Sequence, residues 1–457
     1  MTALVKTNLD DAVKLFEPKF SEFYGSHAEK LAELRDRLKT ANEEASRLEY
    51  YKWLDSAYLK EVNASTKELA AKLKAKNYSN MLVIGMGGSG INPLLIKNSL
   101  YEFAIDRKST LNIIVQNNLD PTSMTARLED IKSSLDSTLF VIISKSGGTD
   151  EVRRNINIIL DTWSEKIGTD LALKTFASNS VIITEPLDKD PGKNFLHRFN
   201  EELKSKTGVQ MPWLENDPNI GGRFSLFSPV GMFIAEMLGL DSDTMIEASA
   251  KAFQDFISGD DTCAKLAAFD ILLSRNNFSS RYSMVYSDSL EVLNKFRAQL
   301  KGESLNKDGI DSTIHVPGIG TVNHHSDLEL LLKKNNGVIL EQVFFTEPLQ
   351  DHTNKKELET MKDLAGSSNY KSLVDNHINP LKDYILSNGA PVIQREIAKQ
   401  DEASISYFLM QDMLTTILQA GLQDELGSIT KLDLAIRQHE VERYKKSLDI
   451  LRNEVSQ

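Results

Sequence analysis

Leu139-Phe140-Val141-Ile142-Ile143-Ser144-Lys145-Ser146-Gly147-Gly148-Thr149 is the stretch on which the fold turns. An unbroken apolar run gives way at once to three hydroxyls, one ammonium and a pair of glycines. A run of that length and type reads as a strand buried on both faces, as in a parallel sheet. The turn after it has the composition of a phosphate cradle, with hydroxyl and backbone donors plus one cation. It is not a Walker loop, which needs Gly-Lys-Ser/Thr in another order. The plainer alternative is a polar turn capping a helix that starts near Asp150.

Working outward, similar runs occur at Met81-Leu82-Val83-Ile84, at 111–115 and at Val181-Ile182-Ile183, with helical patterns between them. Strand–helix alternation of this kind predicts a doubly wound parallel sheet. A second set, Tyr282-Ser283-Met284-Val285-Tyr286 and 337–345 with helices over 291–300 and 405–420, predicts a second α/β unit. Residues 28–59 carry helical spacing without proline or glycine, and 230–240 is an apolar helix. The last segment, 432–453, reads as one long charged helix. The expected organisation is α/β: a helical N-terminal segment 1–75, domains over 76–245 and 246–430, and a C-terminal helix 431–457.

The chain has 457 residues, 41% hydrophobic and 26% charged, which suits a globular protein of more than one domain. Its net charge of −12 argues against nucleic acid as a partner, so an anionic ligand must be held by local donors. A single cysteine, Cys263, precludes an internal disulfide and fits a reducing compartment; its plain reading is a small buried apolar residue. No apolar run reaches membrane-spanning length, and the first residues lack a signal-peptide core, so a cytoplasmic location is expected.

Five further segments bear on the chemistry. Gly85-Met86-Gly87-Gly88-Ser89-Gly90 follows a strand and offers backbone N–H groups to an anion. It partly matches a dinucleotide loop, but the next strand ends Val115-Gln116-Asn117-Asn118, without the acidic residue that would hold a ribose. Gly221-Gly222-Arg223-Phe224-Ser225 sets a guanidinium directly after two glycines, which leave room for a ligand to approach a natural stabiliser of an oxyanion. Glu303, in Lys301-Gly302-Glu303-Ser304, reads either as a solvated charge or as a base on a loop after an apolar helix. His324-His325 gives no metal-ligand spacing, and no His or Cys pair elsewhere supports a metal. Gln438 to Lys445 lies in the final helix, where a salt-bridged exposed face is the plain reading.

Together these segments, in this order over about 80–447, resemble the phosphoglucose isomerase family, with two sugar-isomerase (SIS) domains and a helical tail. The resemblance implies interconversion of glucose 6-phosphate and fructose 6-phosphate through an enediolate, with no cofactor or metal. It implies that Ser144, Ser146 and Thr149, with the Lys145 backbone, bind the phosphate, and that Gly88, Ser89 and Gly222 line the sugar. Glu303 would be the base, Arg223 the stabiliser of the enediolate, and His325 and Lys445 the residues assisting ring opening. Gln438 would contact the phosphate side. A homodimer is implied, with His325 reaching the site from the partner subunit. The chain departs from the family pattern at Gly90, Ile91, Asn306, His324, His439 and Glu440. Rival readings are an isomerase of amino or mannose sugar phosphates, a non-catalytic sugar-phosphate binder, and a nicotinamide dehydrogenase.

Overall fold

The computed structural model describes residues 3–40, 49–104, 109–187, 194–307, 310–333, 337–347 and 370–423. Ten strands among them form two five-stranded sheets. They are β1 (Val5–Asn8), β2 (Asn80–Gly85), β3 (Asn112–Gln116), β4 (Thr138–Ile143), β5 (Ser180–Thr184), β6 (Trp213–Glu215), β7 (Ser280–Val285), β8 (Ile314–Ile319), β9 (Val338–Glu347) and β10 (Val392–Lys399). The first sheet has the order β3-β2-β4-β5-β6 and is parallel throughout. The second has the order β1-β10-β9-β7-β8 and is parallel except for β1.

Why the first sheet is continuous and apolar is visible in its two faces. Side chains alternate along a strand. Leu82, Ile84, Phe140, Ile142 and Ile182 therefore pack outward on Met124, Val152, Ile156, Trp163 and Phe176. Met81, Val83, Leu139, Val141 and Val181 point the other way, into a core shared with Val285, Ile339, Val343 and Ile393 of the second sheet. That shared core holds the two sheets together, and it contains the apolar helix Pro229–Met237, capped by Ser228.

The second sheet carries a set of buried charges. Arg297 donates to both oxygens of Glu341 at 2.9 Å and also pairs with Asp412; Arg395 pairs with Asp412 at 2.9 Å; Arg281 pairs with Asp270 at 2.6 Å. Burial pushes the Glu341 carboxyl up, but the Arg297 and Arg281 guanidiniums outweigh it and hold it well below the usual range. Such a cluster adds little net stability over apolar packing, but it fixes geometry, because breaking one pair strands a buried charge. Here it ties helix Glu291–Ser304 to β9 and to the buried helix Glu402–Leu422.

Several elements differ from expectation. The N-terminal segment is not helical throughout: it opens with β1, which pairs antiparallel to β10. The helical reading of 28–59 is interrupted, since helix Ala28–Lys39 ends and a new helix, Ser56–Lys74, starts where the Asp55 carboxylate accepts from Ala57 and Tyr58. β8 lies at a sheet edge, where Pro317 is tolerated. β10 carries Gln394, Arg395 and Glu396, of which Arg395 is neutralised by Asp412 inside the core. The expected helix over 432–453, with Gln438, His439, Glu440 and Lys445, lies outside the described residues.

Candidate active site

In an open parallel sheet, ligands sit beyond the carboxyl ends of the strands where the strand order reverses. In the first sheet that point lies between β2 and β4, since the chain goes from β2 to β3 on one side and then to β4 on the other. Gly85 pairs with Ile143, so the turn after β2 and the loop after β4 leave the sheet side by side.

The loop after β4 is built from internal hydrogen bonds. Ser144 is buried, and its hydroxyl lies 2.9 Å from that of Thr149; the Gly148 N–H donates to the Ser146 hydroxyl at 3.3 Å. Thr184 Oγ1 donates to the Ser144 carbonyl at 2.7 Å and accepts from Asn194 Nδ2 at 2.9 Å. Gly147 has φ +65°, and a Cβ there would lie 2.0 Å from Asn194 Oδ1. Only glycine fits that position. The loop opens on the N-terminus of helix Asp150–Ile167, whose dipole favours an anion. The Lys145 ammonium donates to the Pro218 carbonyl at 2.8 Å.

The turn after β2 meets the diglycine-arginine segment backbone to backbone. A Cβ on Gly88 would lie 2.1 Å from the Gly222 carbonyl oxygen, so Gly88 is required for the two segments to touch. Asn92, inside helix Gly88–Ile96, donates to Gly222 O at 3.3 Å and to Ser225 Oγ at 3.1 Å, which fixes the join. Ser89 follows Gly88 in the first turn of that helix and is partly exposed.

Arg223 is buried, with 1% of its side chain exposed. Its Nε donates to Ser304 Oγ at 2.7 Å, and Nη1 lies 3.4 Å from Glu303 Oε2. Burial pulls the guanidinium down to about 10, opposed by Glu303, and this leaves it cationic at neutral pH. It faces the C-terminal end of helix Glu291–Ser304, where the helix dipole favours a cation. Glu303 keeps 26% of its side chain exposed and accepts from Gln299 Nε2 at 2.8 Å. The loop placement expected for Glu303 is corrected: it sits in the last turn of the helix, where the backbone holds it firmly. Gln299 is a site residue that sequence reading missed. Its signal is its position one helical turn before Glu303, on the same face.

His325 is not part of this cluster within one chain. It is exposed and lines a cleft of about 630 Å³ beyond β7 and β8, with Tyr286, Ser287, Asp288, Ser289 and His377. Ser289 lies just ahead of helix Glu291–Ser304 and Glu303 is at its far end, a separation of roughly 21 Å at 1.5 Å per residue. Gln438 and Lys445 are outside the described residues.

Four departures from the family pattern have local reasons. A Cβ on Gly90 would lie 2.5 Å from the Gly85 carbonyl oxygen, which leaves no room for a side chain. Asn306 has φ +58°, a left-handed conformation that asparagine tolerates better than most residues. His324 packs edge-on against Tyr286, with Nε2 3.1 Å from its hydroxyl. Ile91 packs against the shared core. Gln116, at the end of β3, is held by Arg127 and donates to Asn118 O at 2.6 Å, so that strand end is occupied by structural contacts rather than offered to a ribose. Among the described residues, no group of three or more His, Cys, Asp or Glu is placed to hold a metal, and no helix is long and apolar enough to cross a membrane.

A family model described as phosphoglucose isomerase matches residues 57–320. A glucose-6-phosphate isomerase of Rubrobacter xylanophilus is 29% identical over 291 residues, covering 62% of this chain and 63% of that protein. The match therefore spans less than two thirds of that relative's length. Among solved structures, a hypothetical protein from Thermus thermophilus superposes with a TM-score of 0.80 at 21% identity, covering 99% of this chain and 100% of the other. A glucose-6-phosphate isomerase from Chlamydia trachomatis gives a TM-score of 0.74 at 16% identity, covering 99% and 89%. These two superpositions show a shared fold.

Proposed function

The chain belongs to the phosphoglucose isomerase family, and from that premise we propose that it interconverts glucose 6-phosphate and fructose 6-phosphate. The observation that carries this reading is the pairing of Arg223 with Glu303 beside the Gly88–Gly222 contact. A carboxylate that can take a proton stands against a buried cation that can stabilise the resulting oxyanion.

In this reading, Ser144, Ser146, Thr149 and the Lys145 backbone hold the phosphate, and Gly88, Ser89 and Gly222 line the sugar. The phosphate does not react, so its binding serves to place carbons 1 and 2 at Glu303. Glu303 removes the proton from carbon 2 and returns it to carbon 1, while Arg223 stabilises the enediolate between them. Lys445 and Gln438 complete the site. Domain limits of 76–245 and 246–430 are adopted with this reading, and the buried Cys263 supports a reducing, cytoplasmic setting.

The substrate is tested by side-by-side turnover of glucose 6-phosphate, mannose 6-phosphate and glucosamine 6-phosphate. Glucose 6-phosphate is expected to be the fastest; preference for either of the others would replace the assignment, and binding without turnover of any would leave a sensor.

The position of His325 supports a homodimer. The roughly 21 Å helix between its cleft and Glu303 is too long for one chain to bring both to one sugar, so the partner's copy of this histidine assists ring opening. Mixing Glu303→Gln and His325→Ala chains tests this. If each is inactive alone, random pairing restores one intact site in half of the dimers, roughly a quarter of native activity. No recovery after subunit exchange would place His325 outside the partner's site.

A further inference from the structure

We propose that the charged layer on the second sheet holds one small monovalent anion, of the chloride type, between the Lys301 ammonium and the Arg281 guanidinium. Neither residue belongs to the proposed sugar site, so the inference is independent of the isomerase reading. Lys301 is buried, in helix Glu291–Ser304. Asn294, Arg297 and Lys301 are three and four residues apart, so they share one face of that helix. The face lies on the sheet: Asn294 donates to the Ser283 carbonyl at 2.6 Å and accepts from His315 Nε2 at 2.9 Å, and Arg297 donates to Ser283 Oγ at 2.8 Å. Lys301 continues this row. Arg281, in β7, is buried as well, and of the charges around Lys301 it acts on that ammonium most strongly.

The carboxylates of this layer are already engaged. Glu341 accepts two bonds from Arg297 and has Arg281 Nη1 at 3.7 Å. Asp412 pairs with Arg297 and Arg395. Asp270 accepts from Arg281, Thr313, Ser312 and Gln419. The charges of Glu341, Asp412 and Asp270 are thus matched by those of Arg281, Arg297 and Arg395. Lys301 is a further cation, and among the described residues its ammonium has neither a hydrogen bond nor an ion pair. Arg281 Nε also has no hydrogen-bond partner among them. Burial and Arg281 pull the Lys301 ammonium down to about 8, opposed by Asp270 and Glu341, so it is mostly charged at neutral pH.

An uncompensated charge in a protein interior is costly. A water molecule would supply hydrogen bonds but no charge. A divalent anion would leave the layer negative, and the burial of both side chains limits the size. A single monovalent ion accepts from Lys301 Nζ and Arg281 Nε together and brings the layer to neutrality.

The test follows thermal unfolding of the full chain at neutral pH while sodium chloride replaces sodium gluconate at fixed ionic strength. Lys301→Met, which keeps an unbranched side chain and removes the charge, is the comparison. The native chain is expected to gain about 2–4 °C in Tm as chloride rises about a hundredfold above its dissociation constant, and Lys301→Met to show no such gain. Alkaline pH gives a second readout. Lys301 loses its proton as pH rises through about 8, while Asp270 and Glu341 stay ionised, Arg281 and Arg297 stay charged and His315 stays neutral. The chloride gain should therefore shrink above that pH. Crystals soaked in bromide are expected to show an anomalous peak between Lys301 Nζ and Arg281 Nε. An equal chloride gain in the native chain and in Lys301→Met would mean an adventitious ion only and would overturn the proposal. No gain in the native chain, the result for a buried water, would overturn it too. If Lys301→Met does not fold, the native chain decides alone: a gain unchanged at alkaline pH, or bromide found only elsewhere, counts against the site.

Discussion

Glu303→Gln is expected to lower kcat by about 10³-fold or more, the scale of a general base removed without change of shape. Glutamine matches glutamate in size and can still meet Gln299 and Arg223, the groups that now lie 2.8 Å and 3.4 Å from the carboxylate. The last helical turn should therefore stay as it is. What disappears is the ability to accept a proton from carbon 2. KM should change little, because in the proposed site the phosphate is held elsewhere, by the loop after β4. Steady-state turnover of glucose 6-phosphate by the folded variant checks this, and a loss of less than about tenfold would remove Glu303 from the role of base.

Arg223→Lys is expected to cost about 10²- to 10³-fold in kcat, the range seen when a preorganised oxyanion donor is removed. Lysine keeps the charge, so the substitution isolates geometry. The native guanidinium reaches two groups at once, Ser304 Oγ at 2.7 Å through Nε and Glu303 Oε2 at 3.4 Å through Nη1. A single ammonium cannot span both as a planar fork does. The lysine cation therefore settles on Glu303 or on Ser304, and in either case the enediolate is left without its stabiliser. Comparison of kcat with KM for both sugar phosphates is the measurement; a variant with native kcat would show that charge alone suffices and that the fork has no part in catalysis.

What was legible in the sequence was whatever the chain states locally. The runs ending at Gly85 and Ile143 are strands because each is apolar on both faces, and both faces are in fact buried, in two different cores. The glycines of 85–90 and 221–222 were legible as room for a ligand, but not as the join between the two segments, where a Cβ on Gly88 would lie 2.1 Å from the Gly222 carbonyl oxygen. β10 was not legible because four of its eight residues are polar or charged, and nothing near them in sequence shows that Arg395 will meet Asp412. β1 was missed for a related reason: four residues with one buried side chain acquire strand character only by pairing with β10, at the far end of the chain. Glu303 was placed on a loop because Gly302 precedes it; the helix continues through that glycine because Arg297 and Leu300 anchor its buried side. The meeting of Arg223 with Ser304 joins segments 81 residues apart, and no periodicity could announce it.

The most direct test of the account is incubation of glucose 6-phosphate in heavy water with the native chain and with Glu303→Gln, following deuterium at carbon 2 by proton NMR. The native chain is predicted to incorporate deuterium at carbon 2 as isomerisation proceeds, and the variant to incorporate essentially none over the same time. Incorporation by Glu303→Gln at the native rate would contradict the claim that this carboxylate carries the proton.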